Sequence, residues 1–380
     1  MNKIYTSLGT MSGTSLDGID FSIIKTDGED DITLVSNHYL SFSNNLKQKI
    51  RNIKSKILKT SDCRKVVKSE EYKELSNEIT MTHLRGIRNF IINKNNLPEI
   101  IGFHGITLWH KPADRYTHQI GDALLLKKKL AKYFNIKNTR IIFNFRKNDI
   151  LNGGQGAPLT PLYHQAVLKH LKIEDPSLVV NIGGITNVTY INKSKIFSTD
   201  IGPGNCLIDN WMKFYFDKDF DKDGNTSLEG NINLKIAGCF LDRLKKLQNN
   251  NNTSYDTSDF NILEFEKLNK KDGAATLSFV TAKAILDYSK KLDLKKIIVC
   301  GGGRYNQAIL NNLKEDRFTV TSIDDVVCSA DNSYYPFKGQ GDFIESQAFA
   351  YLAVRSKLKK NISLPSTTGT MLPSTGGEII

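Results

Sequence analysis

The chain has 380 residues, enough for two domains of ordinary size, and its 52 Lys and Arg against 40 Asp and Glu give a formal net charge of +12. The basic residues are scattered and not interleaved with aromatic side chains. We therefore expect a lysine-rich surface around a site for an anionic small molecule, and not a nucleic-acid-binding surface. No apolar run approaches the ~18–20 residues of a membrane span, and five cysteines without a CxxC pair are typical of a reducing compartment. These features predict a cytoplasmic protein with no nucleic-acid or membrane partner.

The first part of the chain alternates strand and helix patterns. Short apolar or alternating runs predict strands at residues 3–8, 19–25, 31–42, 99–105 and 139–145. Apolar residues at helical spacing predict helices at residues 44–58, 69–95 and from 123 onwards. The first two strands enclose a turn and form a hairpin.

A block of similar shape begins at residue 177. Strands are predicted within residues 177–191, 195–205, 295–303 and 317–323, and helices up to residue 292 and at 342–358. The duplication predicts an α/β protein of two similar domains, each a mixed sheet flanked by helices, around an inter-domain cleft. We place the domains at residues 1–145 and 146–358; the tail, 359–380, can return to the first domain.

The stretch "GTMSGTSLDGIDFSII" (9–24) places small, hydrogen-bonding residues between two apolar runs. Glycines let backbone N–H groups approach a ligand closely, and such turns bind anions. The hydroxyls of Ser12, Thr14 and Ser15 add donors, so phosphate binding is predicted. A plain β-hairpin turn built on Asp17-Gly18 is the alternative.

Two carboxylates in this stretch, Asp17 and Asp20, would repel a phosphate unless a cation lay between them. Mg²⁺ is bound in this way, through one or two carboxylates, water and phosphate oxygens. The two aspartates are therefore the predicted metal ligands.

The stretch "TDIGPGN" (199–205) puts Asp200 at a strand end beside Gly202 and Gly204. A carboxylate in this position can act as a general base for a nucleophile at a phosphate. Equally, Asp200 could cap the helix that starts near Asn205.

Three other stretches carry weaker signals. Gly301, Gly302 and Gly303 follow a buried strand and permit close backbone approach to a nucleoside, or form an ordinary strand-to-helix turn. "GFHGITLWH" (102–110) offers His and Trp side chains to a sugar, although buried histidines are usually structural. "RKNDILNGGQGAPL" (146–159) suits a domain linker or a substrate loop.

Several motifs, in this order along the chain, closely resemble the anhydro-N-acetylmuramic acid kinases: "GTMSGTSLDGID", "FHGITLWH", "QIGD", "FRKNDILNGGQGAPL", "NIGGITNVTYI", "DIGPGNCLID", "CGGGRYN", "ESQAFAYLA" and "LPSTTG". The resemblance covers nearly the whole chain. It implies the actin/hexokinase superfamily fold, with two RNase H-like domains, and a homodimer.

The resemblance also implies a reaction in peptidoglycan recycling. ATP would phosphorylate O6 of the amino sugar 1,6-anhydro-N-acetylmuramic acid while water adds at the anomeric carbon, giving N-acetylmuramate 6-phosphate and ADP. Asp200 would activate the water, and His104, Trp109 and Glu345 would hold the sugar. The residues implied for ATP and Mg²⁺ are Gly13, Thr14, Ser15, Leu16, Asp17, Gly18, Ile19, Asp20, Gly183, Gly202, Gly204, Gly301, Gly302 and Gly303.

The chain departs from the family pattern at two places. Ile106 stands where the family usually has Gln, which removes a hydrogen-bonding side chain expected near the sugar. Residues 251–260, "NNTSYDTSDF", replace a loop that commonly reads like "KSTGRD". These departures leave room for a related sugar kinase, or for a non-catalytic actin-like nucleotide-binding protein.

Overall fold

The computed structural model describes residues 2–13, 16–60, 63–91, 97–134, 136, 138–173, 175–249, 254–294, 296–314, 318–329 and 340–380. The chain forms two compact units. The first unit comprises Met1–Lys172 and Phe343–Ile380, and the second comprises Ile173–Asp342. Within the described residues, no helix is both long and apolar enough to cross a membrane.

The strands are β1 (Tyr5–Ser12), β2 (Gly18–Thr26), β3 (Ile32–Ser41), β4 (Ile100–Lys111), β5 (Tyr116–Ile120), β6 (Arg140–Phe143), β7 (Ser177–Ile182), β8 (Ile185–Asn192), β9 (Lys195–Pro203), β10 (Lys296–Cys300), β11 (Thr319–Ser322) and β12 (Glu378–Ile379). The α-helices are α1 (Asn44–Leu58), α2 (Cys63–Val67), α3 (Glu70–Ile91), α4 (Ala123–Phe134), α5 (Lys147–Leu151), α6 (Pro161–His170), α7 (Cys206–Phe216), α8 (Asn225–Leu228), α9 (Leu234–Asn249), α10 (Lys270–Lys291), α11 (Gln307–Lys314), α12 (Ile323–Ser329), α13 (Ile344–Lys357) and α14 (Pro365–Thr368).

The two sheets repeat one topology. In the first unit the order is β12-β6-β4-β1-β2-β3, with β5 paired to β4; in the second it is β11-β10-β7-β8-β9. Each sheet begins with three antiparallel strands, and two later strands add in parallel on the other side of the first strand. The predicted α/β class, with two RNase H-like mixed sheets flanked by helices, is confirmed.

The hydrophobic core of the first unit lies on one face of its sheet. Alternation along β2 turns Ile19, Phe21 and Ile23 to this face, where they pack among the buried residues of α1 and α3. Ser43 caps α1, since its hydroxyl accepts the Leu46 N–H at 3.2 Å.

Helix α13 covers the opposite face of the first sheet. The Ser7 hydroxyl donates to the Ala350 carbonyl at 2.8 Å. A methyl group on Gly9 would lie 1.9 Å from the Ser346 carbonyl oxygen, and one on Gly102 would lie 2.3 Å from the Phe349 carbonyl oxygen. The two glycines therefore permit helix and sheet backbones to approach more closely than any side chain would allow.

The predicted domain boundary needs correction, because residues 146–172 and 343–358 belong to the first unit and not to the second. Helix α13 packs on the first sheet, and α6 packs on α13, where the Tyr163 hydroxyl donates to Gln347 Oε1 at 2.8 Å. The tail also returns to this unit, since β12 pairs with β6 at the sheet edge. The chain thus leaves the first unit after Lys172 and returns to it at Phe343.

The second unit has a core of its own. Leu178, Val180 and Ile182 of β7 pack with Trp211 of α7 and with apolar residues of α9 and α10. The Trp211 indole N–H donates to the Lys270 carbonyl at 2.7 Å, so the one polar atom of this buried ring is satisfied.

Candidate active site

The turn between β1 and β2 contains the predicted phosphate-binding residues of the first unit. Leu16 has a positive φ of 59°, and its N–H donates to the Gly13 carbonyl at 3.3 Å. The Leu16 side chain is buried in the core, which holds this strained turn in place. Thr14 and Ser15 lie outside the described residues.

Ser12 ends β1 beside this turn, and its side chain is only 3% exposed. Its hydroxyl has no hydrogen-bond partner among the described residues. A buried hydroxyl without a partner among these residues is available to donate to a bound anion. The residue fits a phosphate oxygen.

Asp17 is exposed at the end of the turn, and Asp20 is half-buried on β2. Burial raises the pKa of the Tyr39 phenol, and the negative charges of Asp17 and Asp20 raise it further. Both carboxylates therefore lie near this phenol. The described residues contain no group of three or more His, Cys, Asp or Glu suited to a metal ion. Two carboxylates are nevertheless the donor set that Mg²⁺ uses when phosphates and water complete its coordination.

Two other residues of the turn have structural explanations. A methyl group on Gly18 would lie 2.4 Å from the Leu40 carbonyl oxygen and 2.7 Å from the Tyr39 ring, so strand pairing already requires glycine there. Ile19 is fully buried in the core. If these residues contact a ligand, they do so through their backbone.

His104 and Arg146 form a buried polar contact in the first unit. The Arg146 Nε–H donates to His104 Nε2 at 3.2 Å, and its Nη1–H donates to the Gly156 carbonyl at 2.8 Å. Burial, and then the Arg146 charge, lower the pKa of His104 well below its ordinary value. His104 is therefore a neutral, oriented imidazole.

Glu345 lies in the first turn of α13 and is half-buried. Burial raises its pKa, and the positive charge of Arg146 opposes that change. In the described part of the chain its carboxylate has no ion pair within 4.0 Å. The predicted sugar ligands His104 and Glu345 thus both interact with Arg146, by a hydrogen bond and through its charge, respectively. Arg146 lies in the stretch predicted to be a domain linker or a substrate loop.

Trp109 is placed differently from these residues. Its side chain is 9% exposed and belongs to the hydrophobic core, and the Lys111 Nζ lies 4.7 Å from its ring centroid. Little of the indole surface is free to stack on a sugar, so its predicted role stays a prediction.

Asp200 lies near the end of β9, beside an irregularity in the β8–β9 pairing. Its Oδ2 accepts the backbone N–H of Tyr255 at 2.9 Å. Burial raises the pKa of Asp200 to about 6, and the Tyr255 N–H acts in the opposite direction. Asp200 does not cap α7, because Asn205 holds the N-cap position.

The glycine turns of the second unit are joined by backbone hydrogen bonds. The Gly204 N–H donates to the Gly184 carbonyl at 2.9 Å, and the Asn205 N–H donates to the Gly183 carbonyl at 2.7 Å. A methyl group on Gly204 would lie 2.2 Å from the Gly183 carbonyl oxygen. Gly202, with φ of 149°, would place a methyl group against Leu244. Close packing therefore explains Gly202 and Gly204 without a ligand, whereas a methyl group on Gly183 would meet no atom closer than 3.4 Å.

The three glycines after β10 differ from one another. Gly301 has φ of 77°, and a methyl group there would lie 2.3 Å from Asn181 Oδ1. A methyl group on Gly303 would lie 2.2 Å from Ile182 Cγ2, whereas one on Gly302 would meet nothing closer than 3.8 Å. Gly302 is exposed, so only this glycine has an open face for a ligand.

Arg304, which was not among the predicted site residues, holds this turn. Its side chain is 1% exposed, and it pairs with Asp324 at 2.8 Å and with Asp342 at 2.7 Å. Its Nη1–H also donates to the Gly301 carbonyl at 3.0 Å. In the sequence, only its position directly after the glycines points to Arg304. Its partners Asp324 and Asp342 lie 20 and 38 residues further along the chain.

Comparison with known proteins decides the family. The family model described as anhydro-N-acetylmuramic acid kinase matches residues 5–380. The chain belongs to the anhydro-N-acetylmuramic acid kinase family. It is therefore an enzyme of the kinase class, and the resemblance drawn from its motifs is confirmed.

Family members of similar length align over essentially the whole chain. The anhydro-N-acetylmuramic acid kinase of Pelagibacter ubique is 38% identical over 100% of this chain and 99% of its own. The family member from Brucella canis is 34% identical over 99% of this chain and 99% of its own. The one from Agrobacterium fabrum is also 34% identical, over the full length of both chains. The roles of individual residues stay predictions.

Proposed function

We propose that the protein transfers the γ-phosphoryl group of ATP to O6 of 1,6-anhydro-N-acetylmuramic acid while water opens the anhydro bridge. Water adds at the anomeric carbon, the bond from that carbon to O6 breaks, and O6 takes the phosphoryl group. The products are N-acetylmuramate 6-phosphate and ADP, and the reaction would serve peptidoglycan recycling. Full-length membership of the kinase family supports the substrate, and the partly buried Asp200 carboxylate is the observation that supports the chemistry.

Asp200 is the proposed general base for the water. A base works best with a pKa near the operating pH, because it is then ionised and still accepts a proton readily. Burial raises the pKa of Asp200 to about 6, which meets this requirement at neutral pH. His104, which accepts a hydrogen bond from Arg146, and Glu345, whose pKa is raised by burial and lowered by the Arg146 charge, are the proposed sugar contacts.

Phosphoryl transfer needs positioning and charge stabilisation more than covalent help from the protein. In this proposal the ATP phosphates lie against the β1–β2 turn, and the Ser12 hydroxyl, which has no partner among the described residues, donates to them. Asp17 and Asp20 would hold Mg²⁺, which neutralises phosphate charge when it is bound. Gly302 offers its open face to the nucleoside.

The test is a reaction of the purified protein with MgATP and 1,6-anhydro-N-acetylmuramic acid, with ADP release followed and the sugar product weighed. A product heavier by one phosphoryl group plus one water supports the proposal. A gain of the phosphoryl group alone means a related sugar kinase that leaves the bridge closed. No sugar-dependent ADP release means a non-catalytic nucleotide-binding protein and overturns the proposal.

We also propose a cytoplasmic homodimer that binds neither nucleic acid nor membrane, as family resemblance and composition imply. Light scattering on the eluting protein measures its mass. A mass near twice the 42.7 kDa of one chain supports the dimer, and a mass near 42.7 kDa contradicts it.

A further inference from the structure

The carboxylate of Asp149 connects the tail of the chain to the loop that follows α5. The Thr368 hydroxyl of the tail donates to Asp149 Oδ1 at 2.6 Å, and the Gly156 N–H of the loop donates to Oδ2 at 2.6 Å. We propose that Asp149 and Thr368 are positioning residues for the sugar site. Together they fix Gly156, whose carbonyl orients the Arg146 guanidinium against His104. The inference rests on the proposed function, in which His104 holds the sugar.

Residues 152–156, here called the 152–156 loop, close around the Asp149 carboxylate. The Asp149 side chain is 1% exposed, and its backbone carbonyl accepts a further hydrogen bond from the Gly154 N–H at 2.9 Å. A methyl group on Gly154 would lie 2.2 Å from Asp149 Oδ2, so the loop requires glycine to come this close. Because each carboxylate oxygen accepts from a fixed donor, the buried charge is compensated and held in one orientation.

Gly156 transmits this order to Arg146 through its backbone. While its N–H donates to Asp149, its carbonyl accepts the Arg146 Nη1–H at 2.8 Å. Gly156 is buried with φ of 70°, and a methyl group there would lie 2.7 Å from Ile150 Cδ1. The Arg146 Nε–H donates to His104 Nε2 at 3.2 Å. Because the guanidinium is planar and its donors form a rigid fork, these two acceptors set its orientation.

Thr368 holds the 152–156 loop at two points. Besides the hydroxyl that donates to Asp149, its backbone carbonyl accepts the Gln155 N–H at 2.7 Å. The hydroxyl also lies 3.4 Å from the Leu364 carbonyl, a much longer contact than the one to Asp149. The Thr368 side chain is 2% exposed. A residue more than 200 positions further along the chain therefore supports the loop.

The charges around Arg146 leave its orientation to these hydrogen bonds. Burial lowers the pKa of Arg146, and the negative charges of Glu345 and Asp149 raise it. Within the described residues, no ion pair joins either carboxylate to Arg146. The Gly156 carbonyl and His104 Nε2 are the acceptors that fix the guanidinium plane, so displacement of the loop would also displace Arg146.

Thr368→Val tests the inference in the full-length protein, because valine keeps the shape of threonine and lacks its hydroxyl. A misplacement of about 1 Å far from the reacting atoms can cost up to about a hundredfold in rate. We expect the KM for the sugar to rise about tenfold and the KM for ATP to stay within about twofold, because the loop supports the sugar contacts alone. Thr368→Ser keeps the hydroxyl and should restore the KM for the sugar.

Thr370→Val is the matched control from the same tail. Thr370 is 1% exposed, and its hydroxyl contacts the carbonyls of Asn152 and Leu372 at 3.4 and 3.2 Å and the Ser374 hydroxyl at 3.3 Å. The variant removes a buried tail hydroxyl away from Asp149, so it should lower the melting temperature and leave both KM values unchanged. If Thr368→Val does not fold, Thr368→Cys, whose thiol is a weaker donor, replaces it.

A second measurement follows Arg146 without turnover. In protein labelled with ¹⁵N-histidine, the Nε2 signal of His104 reports the hydrogen bond that it accepts from Arg146. In Thr368→Val we expect this signal to move towards the value of an acceptor nitrogen without a donor. Thr370→Val should leave it in place.

The inference is overturned if either the KM for the sugar or the His104 signal of Thr368→Val keeps its wild-type value, even when the melting temperature falls. It is also overturned if Thr370→Val raises the KM for the sugar equally. Failure of the proposed function appears in the wild type instead, as the absence of sugar-dependent ADP release. The His104 signal of Thr368→Val then still decides whether the tail orients Arg146.

Discussion

Arg146 donates its Nε–H to His104 Nε2, and this contact fixes the tautomer of a buried imidazole. Arginine can only donate, so Nε2 must accept; the Gly105 carbonyl, 3.0 Å from Nδ1, can only accept, so Nδ1 must carry the proton. Both ring nitrogens are thus engaged within the protein, and the imidazole is held in one tautomer and one orientation.

We predict that His104 is neutral and protonated on Nδ1 even at pH 6.5, the ordinary pKa of an imidazole, because burial and the Arg146 charge both lower its pKa. Proton–nitrogen correlation spectra of protein labelled with ¹⁵N-histidine report the tautomer and its titration, and His104→Gln assigns the signal among the seven histidines. Titration of that signal near pH 6.5 would contradict the contact with Arg146.

Asp200→Asn is predicted to stabilise the second unit while it abolishes turnover. The folded pKa of Asp200, about 6, lies above its ordinary value of 3.8, so ionisation destabilises the fold. The wild type therefore loses stability as the pH rises from about 4 to about 6. The gain in stability of the variant over the wild type is absent below this pH range and complete above it. We expect a gain on the order of 2 kcal/mol at pH 7.5.

Urea unfolding of both proteins at pH 4 and pH 7.5 measures this difference. A nucleotide-binding titration on the same variant should give an affinity within about threefold of the wild type, since Asp200 is proposed to act on water. An Asp200→Asn protein that is less stable than the wild type at pH 7.5 would show that the carboxylate is held by stronger interactions than those described.

Ser12→Ala is predicted to lower kcat about tenfold or more without loss of stability. Its buried hydroxyl has no described partner, so its removal should leave the melting temperature unchanged or raise it, whereas a lost hydrogen bond to a phosphate is worth about 1.5–3 kcal/mol. Ser7→Ala, on the same strand, is the control. It loses the bond to the Ala350 carbonyl and should lower stability by about 1 kcal/mol with kcat unchanged.

Thermal unfolding and steady-state kinetics on the two serine variants make the comparison. Equal destabilisation by both, with equal kcat, would place Ser12 in the core of the fold and not in the phosphate site.

Gly301→Ala and Gly302→Ala form a matched pair of adjacent substitutions. Gly301→Ala should destabilise the protein by more than about 2 kcal/mol, since it combines a positive φ with a methyl group 2.3 Å from Asn181 Oδ1. Gly302→Ala meets no close protein atom and should leave stability unchanged. If a nucleotide packs on this exposed glycine, Gly302→Ala should raise the KM for ATP alone.

Melting temperatures and separate KM values for ATP and for sugar are the measurements for this pair. An unchanged KM for ATP in Gly302→Ala would move the nucleoside away from the 301–303 turn.

Ile106→Gln, which introduces the residue expected at this position from the family resemblance, is predicted to destabilise the first unit. The structure places Ile106 in the core at 1% exposure, so the substitution buries an amide and should cost about 3 kcal/mol. Ile106→Val should cost only about 1 kcal/mol. A lower KM for the sugar in Ile106→Gln, with an unchanged melting temperature, would show instead that this side chain reaches the sugar.

Local patterns predicted most elements of the fold, and long-range pairing explains those that they missed. The strand expected at 99–105 continues to Lys111, through Gly105 with its φ of 73° and an irregular pairing with β5. Strand β5 is short and polar, and it exists because it pairs with β4. Strand β12 has two residues in a turn-rich tail, so no periodicity could indicate it.

In the candidate site, too, local patterns predict some residues, and contacts distant in sequence determine the others. Asp200, Ser12 and the glycines stand out in the sequence because their turns are unusual. The hydrogen-bond partner of Asp200 does not, because Tyr255 lies 55 residues further along the chain. Arg304 and its two aspartates are likewise joined only by the fold.

The interruption of the first unit by the second determines the order in which the two can be completed during synthesis. The ribosome delivers all of Ile173–Asp342 before it delivers α13, which covers the first sheet at Gly9 and Gly102. Until then, one face of that sheet is bare. We therefore expect the unit that contains the start of the chain to finish folding last, and a chaperone that meets the nascent chain to bind there.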